Sequence, residues 1–189
     1  MNTDINDKYL HLYKSGVDMK DWYTQAHQDI VVACRHLDQS GYPTHPSYLG
    51  GLLAACSPRV SVKRSCVWAL QLARDSEDYP DDMPRSVRSH VLKFIELGLV
   101  TGPKTGPFHR NLLGDPHCVT IDSHMLAAGG FDRRGTKGSM KACEDAVRSV
   151  AKHRATPAEV QAGIWCGWFR EELGREPKYM PLLEVLWGV

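Results

Sequence analysis

Apolar residues recur at steps of three and four along most of the chain, which is the spacing of amphipathic helices. The first clear stripe runs from Met19 to Leu37, with Asp18 before it as a predicted N-cap and Gly41 after it as a stop signal. An almost wholly apolar helix is predicted from about Pro46 to Cys56. Because no pair of strands stands out, the pattern predicts an all-α fold, a compact helical bundle.

Further helix signals lie in the middle and near the end of the chain. Ser61 is the predicted N-cap of a helix running from Val62 to Ala73, and a helix from Val87 to Leu99 follows the acidic loop 75–84. A capping box at 156–159, with proline at the first helical position, opens the last clear helix. The glycine-rich stretch 129–139 is a flexible loop, either a connector or an arm that contacts phosphate.

Composition and charge limit the class of protein. The 189 residues are 24% charged and 42% hydrophobic, which predicts one globular domain over 1–189, with a core at about 18–130 and a C-terminal helical segment at about 140–189. No apolar stretch approaches the ~18 residues of a membrane span, and the polar start is not a signal peptide. A cytoplasmic location is therefore expected.

Cysteine spacing argues against a metal centre. The six cysteines stand no closer than ten positions apart, so the chain lacks the CxxC pairs and short loops that hold zinc or an iron–sulfur cluster. We expect buried free thiols, no metal and no other cofactor.

The charge distribution is uneven although the net charge is only +1. Basic residues predominate at 59–74 and 132–154, and acidic residues at 75–82. The two basic runs indicate either one basic face or a mixed, solvated surface.

A lysine and an aspartate eighteen positions apart carry the strongest chemical signal, in the run GLVTGPKTGPFHRNLLGDPHCVTIDSHM. Lys104 follows a glycine turn, and Asp122 precedes a histidine. A neutral lysine amine can attack the sugar carbon that bears a base. A carboxylate can orient that amine and stabilise the positive charge on the sugar as the base leaves. A solvated lysine and a simple N-cap are the alternatives for these two residues.

These residues resemble the helix-hairpin-helix (HhH-GPD) DNA glycosylase superfamily, which includes endonuclease III. The turn residues 99–105 match the pattern LPGVGxKTA of that family, and residues 121–125 match its V-D-T/V-H. The block LLAACSPR at 52–59 is similar to the family's helix ending in LSAQ. The chain also resembles small phage-type relatives linked to thymine hypermodification, of the α-glutamyl/putrescinyl-thymine pyrophosphorylase kind.

The resemblance implies a helix-hairpin-helix domain that acts, as a monomer in a bacterium or a phage-infected cell, on DNA that carries a modified or damaged base. The cysteine spacing implies that this domain lacks the iron–sulfur cluster that endonuclease III carries. The resemblance implies Lys104 and Asp122 as the catalytic pair. It also implies a set of DNA-binding residues: Gly102, Thr105, Arg59, Ser57, His124 and Arg110. Of these, Arg59 could enter the duplex or only contact phosphate, and His124 is expected to point into the bundle.

Three departures from the family pattern bear on the substrate. Val100 replaces the first glycine of the hairpin, so the usual two-glycine geometry is not expected. Pro107 falls inside the helix that should carry Lys104, where it is expected to bend that helix. Arg59 stands where repair enzymes often have glutamine.

Three functions remain open from the sequence. The first is a base-removing glycosylase, with or without lyase activity, that uses Lys104 on a flipped nucleotide. The second is a transferase that modifies a hypermodified thymine on the same scaffold. The third is a DNA-binding module that has lost the chemistry.

Overall fold

The chain folds entirely into helices and loops over the part that the structure, a computed structural model, describes: residues 3–188, with side chains from residue 5 onward. No strand occurs among these residues, which confirms the all-α prediction. A short 3₁₀ helix at Val17–Met19 precedes the second α-helix. The α-helices are α1 (Thr3–Gly16), α2 (Trp22–Gln39), α3 (Pro46–Cys56), α4 (Val62–Arg74), α5 (Arg85–Leu97), α6 (Thr105–Leu112), α7 (Ser123–Ala128), α8 (Lys137–Ala151), α9 (Pro157–Leu173) and α10 (Leu182–Trp187).

Helices with clear end signals form where the sequence predicts them. The bounds of α3 are those predicted, and α4 begins after Ser61, whose hydroxyl accepts a hydrogen bond from the Arg64 amide. The capping box of α9 is present in full, because Thr156 and Glu159 each bind the other's backbone amide. These contacts satisfy N–H groups that the first turn of a helix leaves unpaired.

Two predictions about helix ends were incomplete. Asp18 is not the N-cap of α2, since it lies in the 3₁₀ helix and its carboxylate binds the Arg170 guanidinium through two oxygens at 2.6 and 2.7 Å. The loop at 129–139 is shorter than predicted, because Thr136 caps α8 and residues 137–139 are already helical.

The described chain divides into two compact units. Unit 1 consists of the chain up to Tyr23 together with Asp115–Tyr179, and unit 2 consists of Thr24–Gly114 together with the segment from Met180 onward. Each unit is therefore built from two separate stretches of sequence. That the two units together form one domain stays a prediction.

Unit 1 is centred on the packing of α1 against α9. Gly167 of α9 lies so close to the α1 backbone that a Cβ atom there would overlap the Leu12 carbonyl oxygen, and a Cβ on Gly16 would overlap the Gly163 carbonyl oxygen. Such short spacing between helices is possible only where glycines meet. Tyr9 and Leu12 of α1 are then almost fully buried in the same core as Val160 and Ile164 of α9.

Unit 2 is built around α3, which contacts α4, α5 and α6, while α10 packs on α4. The whole of α3 from Leu49 to Cys56 is buried. Gly51 accommodates the ring of Phe94 from α5, because a Cβ atom at this position would overlap that ring. Gly50 faces α6, with the Leu113 side chain 3.2 Å from where its Cβ would lie. Two adjacent glycines thus let both helices of the hairpin approach α3.

All six cysteines are buried free thiols, as expected. Burial raises the pKa of the Cys56, Cys66 and Cys166 thiols to about 12, so they stay protonated at neutral pH. Among the residues described, no helix is long and apolar enough to cross a membrane.

Candidate nucleic-acid interface and carboxylate site

In unit 2 a short turn joins α5 to α6, and Lys104 stands at the start of α6. The first helix, α5, ends at Gly98, a left-handed C-cap with φ 66°, and Gly102 in the turn has φ 127°. Both conformations favour glycine. The turn therefore contains two glycines at positive φ, although Val100 stands where the HhH-GPD pattern has its first glycine. The two glycines are four positions apart, whereas those of that pattern are two positions apart.

Thr105 shapes this turn from within. It is 6% exposed, and its hydroxyl donates a 2.7 Å hydrogen bond to the Thr101 carbonyl oxygen. The predicted DNA contact through the Thr105 side chain is thus at odds with its place in the structure, because the hydroxyl proton is already used inside the protein. Thr105 fixes the shape of the turn, and a Cβ atom on Gly102 would lie only 2.8 Å from this hydroxyl.

Several backbone amides of the turn remain available for a ligand. Within the described chain, the amides of Gly102, Lys104 and Thr105 donate to no acceptor. Gly102 is exposed, Lys104 is half-buried, and the Lys104 ammonium forms no ion pair with any described residue. Unpaired amides at a helix N-terminus, beside a cation, are what anion binding requires.

Pro107 does not disturb the helix in the way expected from the sequence. It is the third residue of α6, and the first three amides of a helix find no acceptor within the helix itself. The Phe108 amide still donates to the Lys104 carbonyl oxygen at 3.0 Å. The Gly106 amide before the proline likewise donates to the Gly102 carbonyl oxygen at 3.2 Å, so the missing Pro107 amide costs the first turn a single hydrogen bond.

Two histidines form hydrogen bonds between α6 and other helices of unit 2. His109 donates from Nε2 to the Ser47 carbonyl oxygen of α3 at 3.2 Å, and His27 of α2 donates from Nδ1 to the Leu112 carbonyl oxygen at 3.0 Å. Burial lowers the pKa of His109, and the bond to Ser47 opposes that shift. The second helix of the hairpin is thus held at both its middle and its C-terminal end.

The loop that joins α3 to α4 carries the other predicted DNA contacts. Ser57 is buried and serves as the C-cap of α3, with its hydroxyl and its amide both bonded to the Ala54 carbonyl oxygen. Arg59 is exposed at the tip of the loop with φ 60°, a conformation that is uncommon for a residue other than glycine. Ser57 therefore supports the loop, and Arg59 is the residue that could reach a ligand. Arg110, the remaining predicted contact in unit 2, is exposed on α6.

Asp122 lies in unit 1 as the N-cap of α7. Its Oδ1 atom accepts hydrogen bonds from the His124 and Met125 amides, each at 2.9 Å. Its Oδ2 atom accepts a 3.3 Å hydrogen bond from Trp165 Nε1 of α9. The N-cap role expected from the sequence is confirmed, and one oxygen is committed to it.

Aromatic side chains surround this carboxylate. The rings of Trp165 and Phe169 lie 4.1 Å apart, and Trp22 packs 6.3 Å from Trp165. His124 faces inward, as expected, with its ring 5.1 Å from Phe169. Its buried Nδ1 atom has no hydrogen-bond partner among the described residues. A DNA contact by this nitrogen is therefore not favoured.

The sequence missed Trp165 as a partner of Asp122. It indicated only that Trp165 lies on the inner face of α9, and the 43 positions between the two residues hide the contact. The pair of adjacent glycines at 50–51 in an apolar helix was the signal for the packing of the hairpin on α3. Lys104 belongs to unit 2 and Asp122 to unit 1, so their action as a pair stays a prediction.

Several cations of the two basic runs form ion pairs with nearby acids. Within the run 132–154, Arg148 pairs with Glu144 at 2.7 Å, Lys141 pairs with Asp145, and Arg134 pairs with Asp132 at 3.3 Å. In the run 59–74, Arg64 pairs with Asp82 of the acidic loop. These contacts favour a mixed, solvated surface over one uninterrupted basic face.

Comparison with known proteins gives a family and no activity. The model of a family of unknown function (DUF7178) matches residues 13–172. Neither a curated protein nor a solved structure matches the chain.

Proposed function

Since the chain belongs to the DUF7178 family, whose function is unknown, we propose from the geometry of its sites that it binds duplex DNA and acts on a base nucleotide. The observation that carries the proposal is the turn 98–105, where unpaired amides, an exposed glycine and the half-buried Lys104 coincide. The DNA would carry a modified or damaged base extruded from the stack.

The hairpin supports the binding step. Amides at the start of α6 can hold a phosphate oxygen, a contact that positions the protein without reading sequence. Arg110 lies further along the same helix and adds a cation. Arg59, exposed and strained at its loop tip, would enter beside the extruded nucleotide or contact a phosphate.

Lys104 would supply the nucleophile. As the free amine, its nitrogen bonds to C1′ of the sugar while the bond from C1′ to the base breaks; the base leaves with that electron pair and takes up one proton from the nitrogen. Ring opening then breaks the C1′–O4′ bond and moves the second proton from nitrogen to O4′, which gives an imine that water hydrolyses. Asp122 would stabilise the positive charge that develops on the sugar, through the oxygen that does not cap α7.

The test is trapping of the imine with borohydride. Wild-type protein is incubated with duplexes that contain an abasic site or a modified base, and a covalent adduct is sought by denaturing electrophoresis. Lys104→Ala should abolish the adduct and leave DNA affinity within a few-fold, because a nucleophile contributes little to ground-state binding. Lys20→Ala is the matched control, an exposed lysine outside the hairpin and outside both basic runs. A modified base on an intact strand, again requiring Lys104, would identify the transferase instead.

One observation favours a second candidate, a DNA-binding module without chemistry. The Asp122 carboxylate already accepts three hydrogen bonds from the protein, two of which cap α7. A purely structural aspartate would look the same. If Lys104→Ala and wild type are equal in both assays while DNA still binds, the module is the better description.

A further inference from the structure

Two leucines project from the tip of the hairpin in unit 2. Leu99 and Leu97 are 59% and 58% exposed, more than any other large apolar residue described. They flank the Gly98 C-cap of α5. The buried face of this helix consists of Val87, Val91 and Phe94, so the two leucines take no part in packing the core.

The surroundings of these leucines are polar and positively charged. The unpaired amides of Gly102, Lys104 and Thr105 lie in the same turn. Lys93 stands one helical turn before Leu97 and shares its face of α5. Between residues 93 and 110 the charged side chains are Lys93, Lys104 and Arg110 against a single acid, Glu96.

We propose that Leu97 and Leu99 form an apolar wedge that enters the minor groove of duplex DNA and unstacks one base step. The proposal rests on the DNA-binding function proposed above, and it adds a deformation of the duplex to it. Apolar side chains inserted from the minor groove partly unstack a base step and kink the helix. The unpaired amides beside the leucines would hold the phosphate next to that step.

The size of the patch favours DNA over a second copy of the chain. A stable dimer interface buries about 800 Å² on each partner, and two leucine side chains in a segment with three cations and one acid supply only a small part of that. Two copies would also bring the same cations face to face. A polyanion whose stacked bases present apolar faces once a step is opened matches both the charge and the leucines.

The experiment uses an undamaged duplex that contains 2-aminopurine, whose fluorescence rises when its base step unstacks. Full-length wild-type protein is titrated into this duplex at several salt concentrations, with anisotropy read in parallel. We expect wild type to raise the fluorescence. Leu97→Ser/Leu99→Ser should lose that rise and bind about tenfold more weakly at fixed salt, since the apolar surface that the two leucines bury in the base step is lost. The slope of log affinity against log salt should not change, because the phosphate contacts remain.

Leu92→Ser is the matched control, because Leu92 is exposed (39%) on the same helix but lies away from the tip. It should behave as wild type. Leu99→Ser alone provides a milder variant, and circular dichroism confirms that each variant is folded.

Each contrary outcome points to a different error. Wild-type binding without a fluorescence change, or an unchanged response in the leucine variants, would overturn the wedge and leave the DNA function standing. Absence of any DNA binding by wild type would overturn both. A wild-type dimer in sedimentation that the leucine variants dissociate would identify these residues as a self-association surface and overturn the wedge.

Discussion

The two carboxylate oxygens of Asp122 have different partners. Oδ1 caps α7 through two backbone amides, whereas Oδ2 receives only the Trp165 indole N–H. Because a cap needs an acceptor and the proposed catalytic role needs a charge, substitutions can separate the cap from that proposed role.

Asp122→Asn should keep the cap and lose the charge. Asparagine caps helices as well as aspartate does, so the urea midpoint should fall little, while the rate of adduct formation should fall by on the order of a hundredfold. Asp122→Ala should lose the rate and also about 0.5–2 kcal/mol of stability. Equal rates for wild type and Asp122→Asn would leave Asp122 with the cap alone.

Asp29 gives a prediction about pH. It is 8% exposed on α2, with Gln25 Nε2 donating to Oδ1 at 2.8 Å. Burial raises the pKa of the Asp29 carboxyl above its ordinary value of 3.8, and the Gln25 bond opposes the shift. The folded state therefore binds the proton more tightly than the unfolded state, and this stability is lost as pH rises through the raised pKa.

Asp29→Asn should consequently raise the urea midpoint at about pH 7 and give a smaller gain at about pH 3, below the ordinary carboxyl pKa, where Asp29 carries its proton in both states. Asparagine retains the acceptor for Gln25. Asp38→Asn, at an exposed aspartate of the same helix, is the control and should show no such pH dependence. A gain that is equal at both pH values would contradict the burial account.

At the scale of elements, the glycines of α3 set the position of the hairpin. Gly51→Ala should push the Phe94 ring out of its place, because the new methyl group would overlap it. We expect a loss of roughly 1–3 kcal/mol in unfolding free energy and weaker DNA binding, since α5 carries the turn. Phe94→Leu in the Gly51→Ala background makes room and should restore part of both. If DNA affinity stays unchanged in folded Gly51→Ala protein, the hairpin is not the binding element.

The contact between α1 and α9 gives a sharper stability test. Gly167→Ala should destabilise unit 1 by roughly 1–3 kcal/mol or more, because the methyl group would overlap backbone that cannot move aside. Gly138→Ala in α8 is the control, since the nearest atom to its new methyl group is Thr136 Oγ1 at 3.7 Å. That change should be neutral or stabilise by up to about 1 kcal/mol, and thermal unfolding of both variants compares them directly.

Helices that carry their own end signals could be predicted from the sequence. Ser61 and the Thr156 capping box determine where α4 and α9 begin, through contacts within one turn. The early helix α1 was not predicted, although Ile5, Tyr9 and Leu12 have helical spacing, and neither was the short α10, which packs on α4. The sequence predicted Asp18 as a helix cap because its actual partner, Arg170, lies far away in the sequence and leaves no local signal.

In the candidate site, too, most local contacts could be predicted from the sequence and contacts between distant residues could not. Lys104 as the start of α6 and Asp122 as the cap of α7 depend on neighbouring residues, and the sequence predicted both. The Thr105 hydroxyl bonds the carbonyl oxygen four residues earlier, a local contact that was not predicted. The Trp165 contact and the position of the Phe94 ring against Gly51 depend instead on packing between elements. No local pattern encodes those contacts, because one residue of each pair looks like an ordinary core or turn residue.

At the scale of the whole molecule, net charge and ion pairing limit how strongly DNA can be held. The chain carries +1, and several of its cations are already paired with acids. We therefore expect weak, salt-sensitive and mainly non-specific binding to undamaged duplex.

Arg110→Ala should lower the slope of log affinity against log salt by about one, because an exposed arginine on the hairpin is free to meet a phosphate. Arg148→Ala should leave the slope unchanged, since its guanidinium is engaged by Glu144. Anisotropy titrations over a range of salt concentrations measure both. An equal effect of the two variants would place the DNA elsewhere on the surface.

The glycine contact between α1 and α9 also has a consequence for biosynthesis. Arg170 of α9 binds the Ser15 carbonyl oxygen at the end of α1, 155 positions earlier in the chain. On the ribosome, α1 emerges long before its partner exists, and its buried face, with Tyr9 and Leu12, stays uncovered while all of 24–114 is made. Unit 2 can begin to organise during that interval, whereas unit 1 must wait for α9 to leave the exit tunnel. Nascent chains that end before residue 157 should therefore be the ones that need a chaperone to shield α1.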